Sequence, residues 1–234
     1  MQGQWITIPA TDGTGHFRAY LALAQAGKGP AVVAIQEIFG INEGMRSICD
    51  RLAKHGFVAV APDLFWRQEP EVELTDKTEA EWQKAFALYN GFDVGKGIAD
   101  ITATIAALRR HPAANGKVGA VGYCLGGLLA YLTATRSDID AAVGYYGVGI
   151  HNHLDEAKNI KKPLMLHIAG ADQFVDGNAQ KTMHVALDNH PLATLHDYPG
   201  MDHAFARPDG QHFNAQAAKL ADARTLEFFK THLS

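Results

Sequence analysis

The sequence predicts an α/β fold: a mostly parallel central sheet with helices on both faces. Short apolar runs such as residues 31–35, 57–61 and 141–145 lack the alternation of a half-exposed strand, so they read as strands buried on both faces. Between them lie longer segments whose apolar residues recur at three- and four-residue spacing, the mark of helices. The alternation continues without repeats, low-complexity tracts or linkers, and that order produces a parallel sheet covered on both sides. At 234 residues and 47% hydrophobic, the chain can bury a core as one domain spanning 1–234.

In chain order, residues 5–8 and 17–23 flank Thr11-Asp12-Gly13-Thr14-Gly15 and predict an opening hairpin. The run 31–35 empties into Gln36-Glu37-Ile38-Phe39-Gly40, which sets Glu37 at a carboxyl strand end. Asn42 is placed to cap a helix carrying Met45, Ile48, Cys49 and Leu52, with Gly56 as its stop; Cys49 is therefore expected in the core. A strand at 57–61 closes at Pro62-Asp63, and a polar stretch, 68–78, leads to a helix bearing Trp82, Phe86 and Tyr89. That aromatic row reads first as a core face and second as a pocket wall. Val94, Ile98, Ile101, Ile105 and Leu108 mark a long helix ending near His111-Pro112, and Asn115-Gly116 is expected to turn into the next strand. Later come strands at 141–145, 163–168 and 193–198, a mostly loop stretch at 146–162, and helices near 178–188 and 215–229.

The chemistry centres on residues 117–131, a strand, a glycine-crowded turn and a helix with a cysteine at the apex. Gly122-x-Cys124-x-Gly126 has the spacing of a nucleophile elbow. An apex residue in a strained turn draws its neighbours two positions away close together, which leaves room for hydrogen only. The start of a helix favours a thiolate there, and the N–H of Leu125 is free to hold an oxyanion. A phosphate loop is excluded because the Lys-Ser/Thr pair and the glycine spacing are absent; a merely buried cysteine leaves the flanking glycines unexplained.

In a sheet of this kind reactive groups gather beyond the carboxyl ends of the strands. Four loops deliver Glu37, Cys124, Asp172 and His203 there, and the last three follow the nucleophile, acid, histidine order of an α/β-hydrolase. Cys124 is expected to attack, His203 to move the proton, and Asp172 to orient the imidazole. Asp176 and His196 are the rival acid and histidine. His151 and His153 invite a metal, but no cluster has zinc-site spacing, so neither metal nor cofactor is expected. A formal net charge of −4 gives no footprint for nucleic acid or an anionic membrane. Two cysteines, the sequence Met1-Gln2-Gly3-Gln4-Trp5 and the lack of a long apolar run point to a cytosolic chain with reduced thiols, expected as a monomer.

The sequence resembles the dienelactone hydrolases, or carboxymethylenebutenolidases, over nearly its whole length. The resemblance rests on Gln36-Glu37-Ile38-Phe39-Gly40, Pro62-Asp63-Leu64, residues 116–119, residues 121–127, residues 143–149, Asp172, and His203-Ala204-Phe205-Ala206-Arg207. It implies a Cys124, Asp172, His203 triad, Glu37 against the resting thiol, oxyanion N–H groups on Leu125 and Ile38, and Arg207 on the substrate carboxylate. It further implies hydrolysis of small lactones or activated esters through a thioester, with amides poor substrates. Family members of the best-known type use a second arginine, and here Trp82 takes its place, with Phe86 where a tyrosine is usual. The resemblance with that difference implies weak handling of dienelactone itself and a preference for apolar or aromatic esters. A non-catalytic alternative is a redox-responsive or ligand-binding protein on an inherited fold, which a chromogenic-ester assay separates from an enzyme.

Overall fold

A computed structural model describes residues 3–208 and 210–234, so the opening Met1-Gln2 pair lies outside the described residues. In chain order its elements are β1 (Gln4–Pro9), β2 (His16–Ala22), β3 (Gly29–Ile35), α1 (Glu43–Lys54), β4 (Val58–Pro62), α2 (Glu79–Asn90), α3 (Val94–Arg109) and β5 (Ala114–Tyr123). They continue with α4 (Leu125–Arg136), β6 (Ala141–Tyr145), a 3-10 segment (Ile150–Asn159), β7 (Leu164–Ala169), α5 (Gly177–Leu187), β8 (Ala193–Tyr198) and α6 (Ala215–Leu233). The strands form an eight-stranded sheet in the order β1-β2-β4-β3-β5-β6-β7-β8. Among the described residues no helix is long and apolar enough to cross a membrane. The chain divides into two compact units, Met1–Gly119 and Ala120–Ser234.

In the first unit the hairpin strands β1 and β2 pair antiparallel, with Ile8 opposite Phe17, and β3 and β4 pair parallel, with Val32 opposite Ala59. The apolar run of β3 is continuous because Ala31 to Ile35 are all fully buried, leaving no solvent face to demand alternation. Asn42 caps α1 by accepting the Met45 N–H at 3.1 Å, and Gly56, at φ +92°, takes the left-handed turn beyond the helix. Gln36 then stitches two strand ends together. Its Oε1 accepts the Leu64 N–H at 2.9 Å while its Nε2 donates to the Glu37 carbonyl at 3.3 Å. The aromatic row of α2 differs from the expected core face. Ala85 and Leu88 are the buried residues of that helix, while Trp82 is half-buried and Phe86 40% exposed. The reason is steric: Phe39 already fills the space below, and Trp82 packs edge-on against it at 5.1 Å with Phe86 stacked outside at 5.5 Å.

In the second unit β6, β7 and β8 run parallel, with Tyr145 opposite His167 and His167 opposite His196. Helix α4 lies on β6 with almost no side chain between them. A Cβ on Gly127 would meet the Tyr145 carbonyl at 2.5 Å and the Gly147 Cα at 2.7 Å. Three local expectations change. Asn115-Gly116 lies inside β5, where Gly116 adopts φ +94° and the Asn115 side chain accepts the Lys117 N–H. The expected loop at 146–162 contains the 3-10 segment, entered through Gly149 at φ +92°. Helix α6 runs on to Leu233, because Phe229 and Leu233 are both fully buried and continue its apolar face.

Candidate active site

The apex of the turn between β5 and α4 is Cys124, at φ +56° and ψ −115°. A non-glycine residue pays strain in that region, so surrounding contacts must hold it there. They are main-chain contacts. The Cys124 N–H donates to the Tyr145 carbonyl at 3.1 Å, and its carbonyl accepts the Gly127 N–H at 2.9 Å. A Cβ on Gly122 would lie 1.8 Å from the Gly126 carbonyl oxygen, which accounts for glycine on that side of the apex. Leu125 opens α4, and the first N–H of a helix has no intrahelical acceptor, so it is available to a developing oxyanion.

Strand β7 ends in Ala169-Gly170-Ala171-Asp172, and β8 ends in a loop reaching His203. The Gly170 N–H donates to the Tyr198 carbonyl at 3.0 Å and the Ala171 N–H to the Met201 carbonyl at 2.9 Å, which tie these two loops directly to each other. Asp172 Oδ2 sits 2.8 Å from His203 Nδ1, and Asp172 Oδ1 accepts the Phe174 N–H at 2.8 Å. Both side chains are buried. Asp172 therefore holds the imidazole by its Nδ1 and leaves Nε2 unclaimed by the carboxylate. That buried Nε2 forms no hydrogen bond of ordinary length and angle, and Cys124 acts on it electrostatically. Burial of His203 opposes its cationic form, but its interaction with Cys124 and its hydrogen bond to the Asp172 carboxylate outweigh burial and raise its pKa above the usual histidine range.

The rivals are occupied elsewhere. Asp176 caps α5 by accepting the Ala179 N–H, and His196 lies on β8, stacked on His167 at 5.8 Å. His153 Nδ1 is 3.4 Å from Glu156, and among the described residues no group of three or more His, Cys, Asp or Glu side chains is arranged to hold a metal. Arg207 is half-buried in a turn closed by its own N–H to the Ala204 carbonyl at 2.9 Å. In the first unit Glu37 and Ile38 lie just past the end of β3, after Gln36, both buried, and Trp82 packs edge-on against Phe39 with Phe86 stacked on Trp82.

Two residues escaped the sequence reading. Tyr146 and Phe174 meet the His203 ring edge-to-face at 5.1 and 4.9 Å, and Phe174 is 41% exposed. Tyr146 stands at φ +37°, held by its N–H donating to the His167 carbonyl at 2.8 Å. Tyr146 lies in the 143–149 motif and directly after an apolar strand, but neither signal assigned it a role; Phe174, two residues beyond Asp172, had no motif.

A mostly parallel sheet, a strained strand-to-helix turn with cysteine at its apex and a carboxylate-histidine pair in successive strand-end loops are the features of the α/β-hydrolase class. Residues 17–233 match the dienelactone hydrolase family, and the chain belongs to it. It is 50% identical over 230 residues to a protein of Azospirillum brasilense named “Putative carboxymethylenebutenolidase”, covering 97% of this chain and 98% of that one. To the carboxymethylenebutenolidase of Pseudomonas sp. strain P51 it is 39% identical over 230 residues, covering 98% and 96%. Among solved structures it is similar to a “Putative Dienelactone Hydrolase” from Klebsiella pneumoniae, with a TM-score of 0.84 and 26% identity, covering 97% of this chain and 98% of that one.

Proposed function

We propose that the enzyme hydrolyses lactones or activated carboxylic esters through a thioester on Cys124. The observation that carries this reading is the Asp172–His203 pair at 2.8 Å in a unit whose strained turn presents a cysteine and a free helix N-terminus. The names of the relatives support the lactone and ester class. Cys124 sulfur adds to the carbonyl carbon, and the tetrahedral oxyanion is held by the Leu125 N–H, with the Ile38 N–H as the second donor the family resemblance implies. Collapse breaks the C–O bond to the leaving oxygen. From an enol lactone that oxygen leaves as an enolate of the same molecule, which needs little acid help, and His203 returns to it the proton that it took from the Cys124 thiol on attack. Water then adds to the thioester, giving its proton to His203, and the acid product departs as the thiol is restored.

Glu37 is assigned control of the resting thiol, supported by the family motif and by its burial just past a strand end. Arg207 is assigned to the substrate carboxylate, and Trp82 with Phe86 to an apolar wall in place of a second arginine, supported by their half-exposed stack. The deciding experiment is turnover of a chromogenic ester by Cys124→Ala, with mass spectrometry of the wild type quenched during turnover. The expected result is a folded, inactive variant and an acyl mass on Cys124. A folded Cys124→Ala variant with wild-type turnover refutes the covalent route.

A further inference from the structure

We propose that a buried hydrogen-bond chain, Arg224–Tyr198–His167–Thr225–Tyr145, is the positioning element that holds the three triad-bearing loops in register, with His167 locked as its Nε2–H tautomer. His167 is fully buried on β7, away from any role in the hydrolytic steps. Its Nδ1 lies 2.8 Å from the Tyr198 hydroxyl and its Nε2 3.0 Å from Thr225 Oγ1. Thr225 Oγ1 is in turn 2.6 Å from the Tyr145 hydroxyl, which donates towards Asp222 at 3.5 Å.

The direction of the chain follows from its ends. Arg224 can only donate, and its Nη1 donates to the Tyr198 hydroxyl at 3.1 Å. At the other end Tyr145 donates to Asp222, so Thr225 must give its hydrogen to Tyr145 and accept from His167 Nε2, which leaves Nδ1 to accept the hydrogen of Tyr198. A neutral imidazole that accepts at Nδ1 must carry its hydrogen on Nε2, which donates to Thr225. Thr225 passes its hydrogen to Tyr145, and Tyr145 points its own at the Asp222 carboxylate. A cation stands at the donor end and an anion at the acceptor end, so each link polarises the next in the same sense.

Each loop of the triad hangs from a member of this chain. The Tyr145 carbonyl accepts the Cys124 N–H, and the Tyr145 ring packs tilted against His167 at 4.3 Å. The His167 carbonyl accepts the N–H of Tyr146, whose ring lies against His203. The Tyr198 carbonyl accepts the N–H of Gly170, two residues before Asp172, and Tyr198 itself begins the loop to His203. Helix α6, which supplies Thr225 and Arg224, is thereby coupled to the geometry of the triad although it contributes no group to it.

The inference rests on the Cys124–Asp172–His203 reading, and its test has readouts beyond activity. Thr225→Val keeps shape and removes the acceptor, whereas Thr225→Ser keeps the oxygen. In folded protein assayed below its unfolding transition, Thr225→Val is expected to lower kcat at least about tenfold with KM changed by less than about twofold, and Thr225→Ser to stay near wild type. Tyr198→Phe is expected to act like Thr225→Val and decides the matter if the valine variant fails to fold. Nitrogen-15 shifts of labelled wild-type protein are expected to show His167 protonated at Nε2 alone. The downfield proton between His203 and Asp172 is expected to shift in Thr225→Val and return in Thr225→Ser. The proposal is overturned if His167 carries its proton on Nδ1, if the valine and phenylalanine variants lose thermal stability but keep kcat and that proton signal, or if serine rescues neither. An inactive wild type refutes the triad reading instead, and the two proton signals still decide this one.

Discussion

Replacing Gly122 by alanine is a demanding test of how the nucleophile turn is built. The new methyl group starts 1.8 Å from the Gly126 carbonyl oxygen and 2.3 Å from its carbon, where real contacts of this kind stay beyond 3.0 Å. The backbone must therefore open by about 1.2 Å, the difference between 1.8 and 3.0 Å. Both obstacles are main-chain atoms, so no rotamer change relieves them. Helix α4 has little freedom to shift, since Gly127 already touches Tyr145 and Gly147 through backbone atoms. The strain falls on the Cys124 turn. Overpacking of this sort costs about 1–3 kcal/mol, which for a chain of this size lowers Tm by about 2–12 °C. A displacement of about 1 Å at a reacting atom costs about a hundredfold in rate. Thermal denaturation and kcat/KM for an aryl ester measure both, with Gly177→Ala as control, because a Cβ there meets nothing within 4 Å. A Gly122→Ala enzyme with unchanged Tm and kcat/KM within about twofold of wild type would refute the reasoning.

Three further outcomes are expected. Burial holds His167 neutral well below the usual histidine pKa, helped by Arg224 and His196, while Tyr198, Thr225 and Tyr145 face it as neutral groups. A depressed folded-state pKa means that stability is full above the unfolded value of 6.5 and declines as pH falls below it, by up to about 1.4 kcal/mol per pH unit from this residue. Thermal melts of wild type should show that acid slope and His167→Gln should flatten it; equal slopes would contradict the assignment. In alkylation, Cys49, fully buried with its thiol pKa pushed up by burial, should label far more slowly than Cys124, and Glu37→Gln should alter the pH profile of Cys124 labelling, mass spectrometry of each site being the check. Trp82→Arg should raise kcat/KM for dienelactone relative to an uncharged aryl ester, because one charge-assisted hydrogen bond contributes about 1.5–3 kcal/mol. An unchanged ratio would remove Trp82 from the substrate wall.

What the sequence disclosed was local. Strand β3 announces itself because both its faces are buried, and α1 because Asn42 and Gly56 punctuate it. The elbow is readable because steric exclusion acts between residues four apart, Gly122 and Gly126. Asp172 and His203 could be proposed from the sequence because each lies in a loop leaving a strand and they follow the chain order of an acid and a histidine. Partners set by tertiary contact were not. Thr225 and Tyr145 are 80 residues apart, and His167 and Thr225 58, so neither spacing nor periodicity joins them. Tyr198 read as an ordinary strand residue and Thr225 as one more position on a helix. The α2 aromatics misled for the same reason: three- and four-residue spacing says that they share a face, but only packing against Phe39 decides how deep that face lies.

Backbone hydrogen bonds to Tyr145 and Gly127 and the bare Gly122 beside it hold residue 124 in the elbow, and none of those contacts involves the sulfur. The turn thus specifies an address and leaves the occupant open. On the proposed mechanism, a serine in place of Cys124 is expected to keep these backbone contacts, so one codon could change the chemistry of the turn without changing its build. Keeping sulfur carries a liability that a hydroxyl lacks, since a thiolate climbs the oxidation ladder one oxygen at a time. If Cys124 is the nucleophile proposed above, oxidant damage at this address is expected to silence the enzyme while leaving the backbone contacts of the turn in place, a lesion visible to chemistry but not to a folding assay.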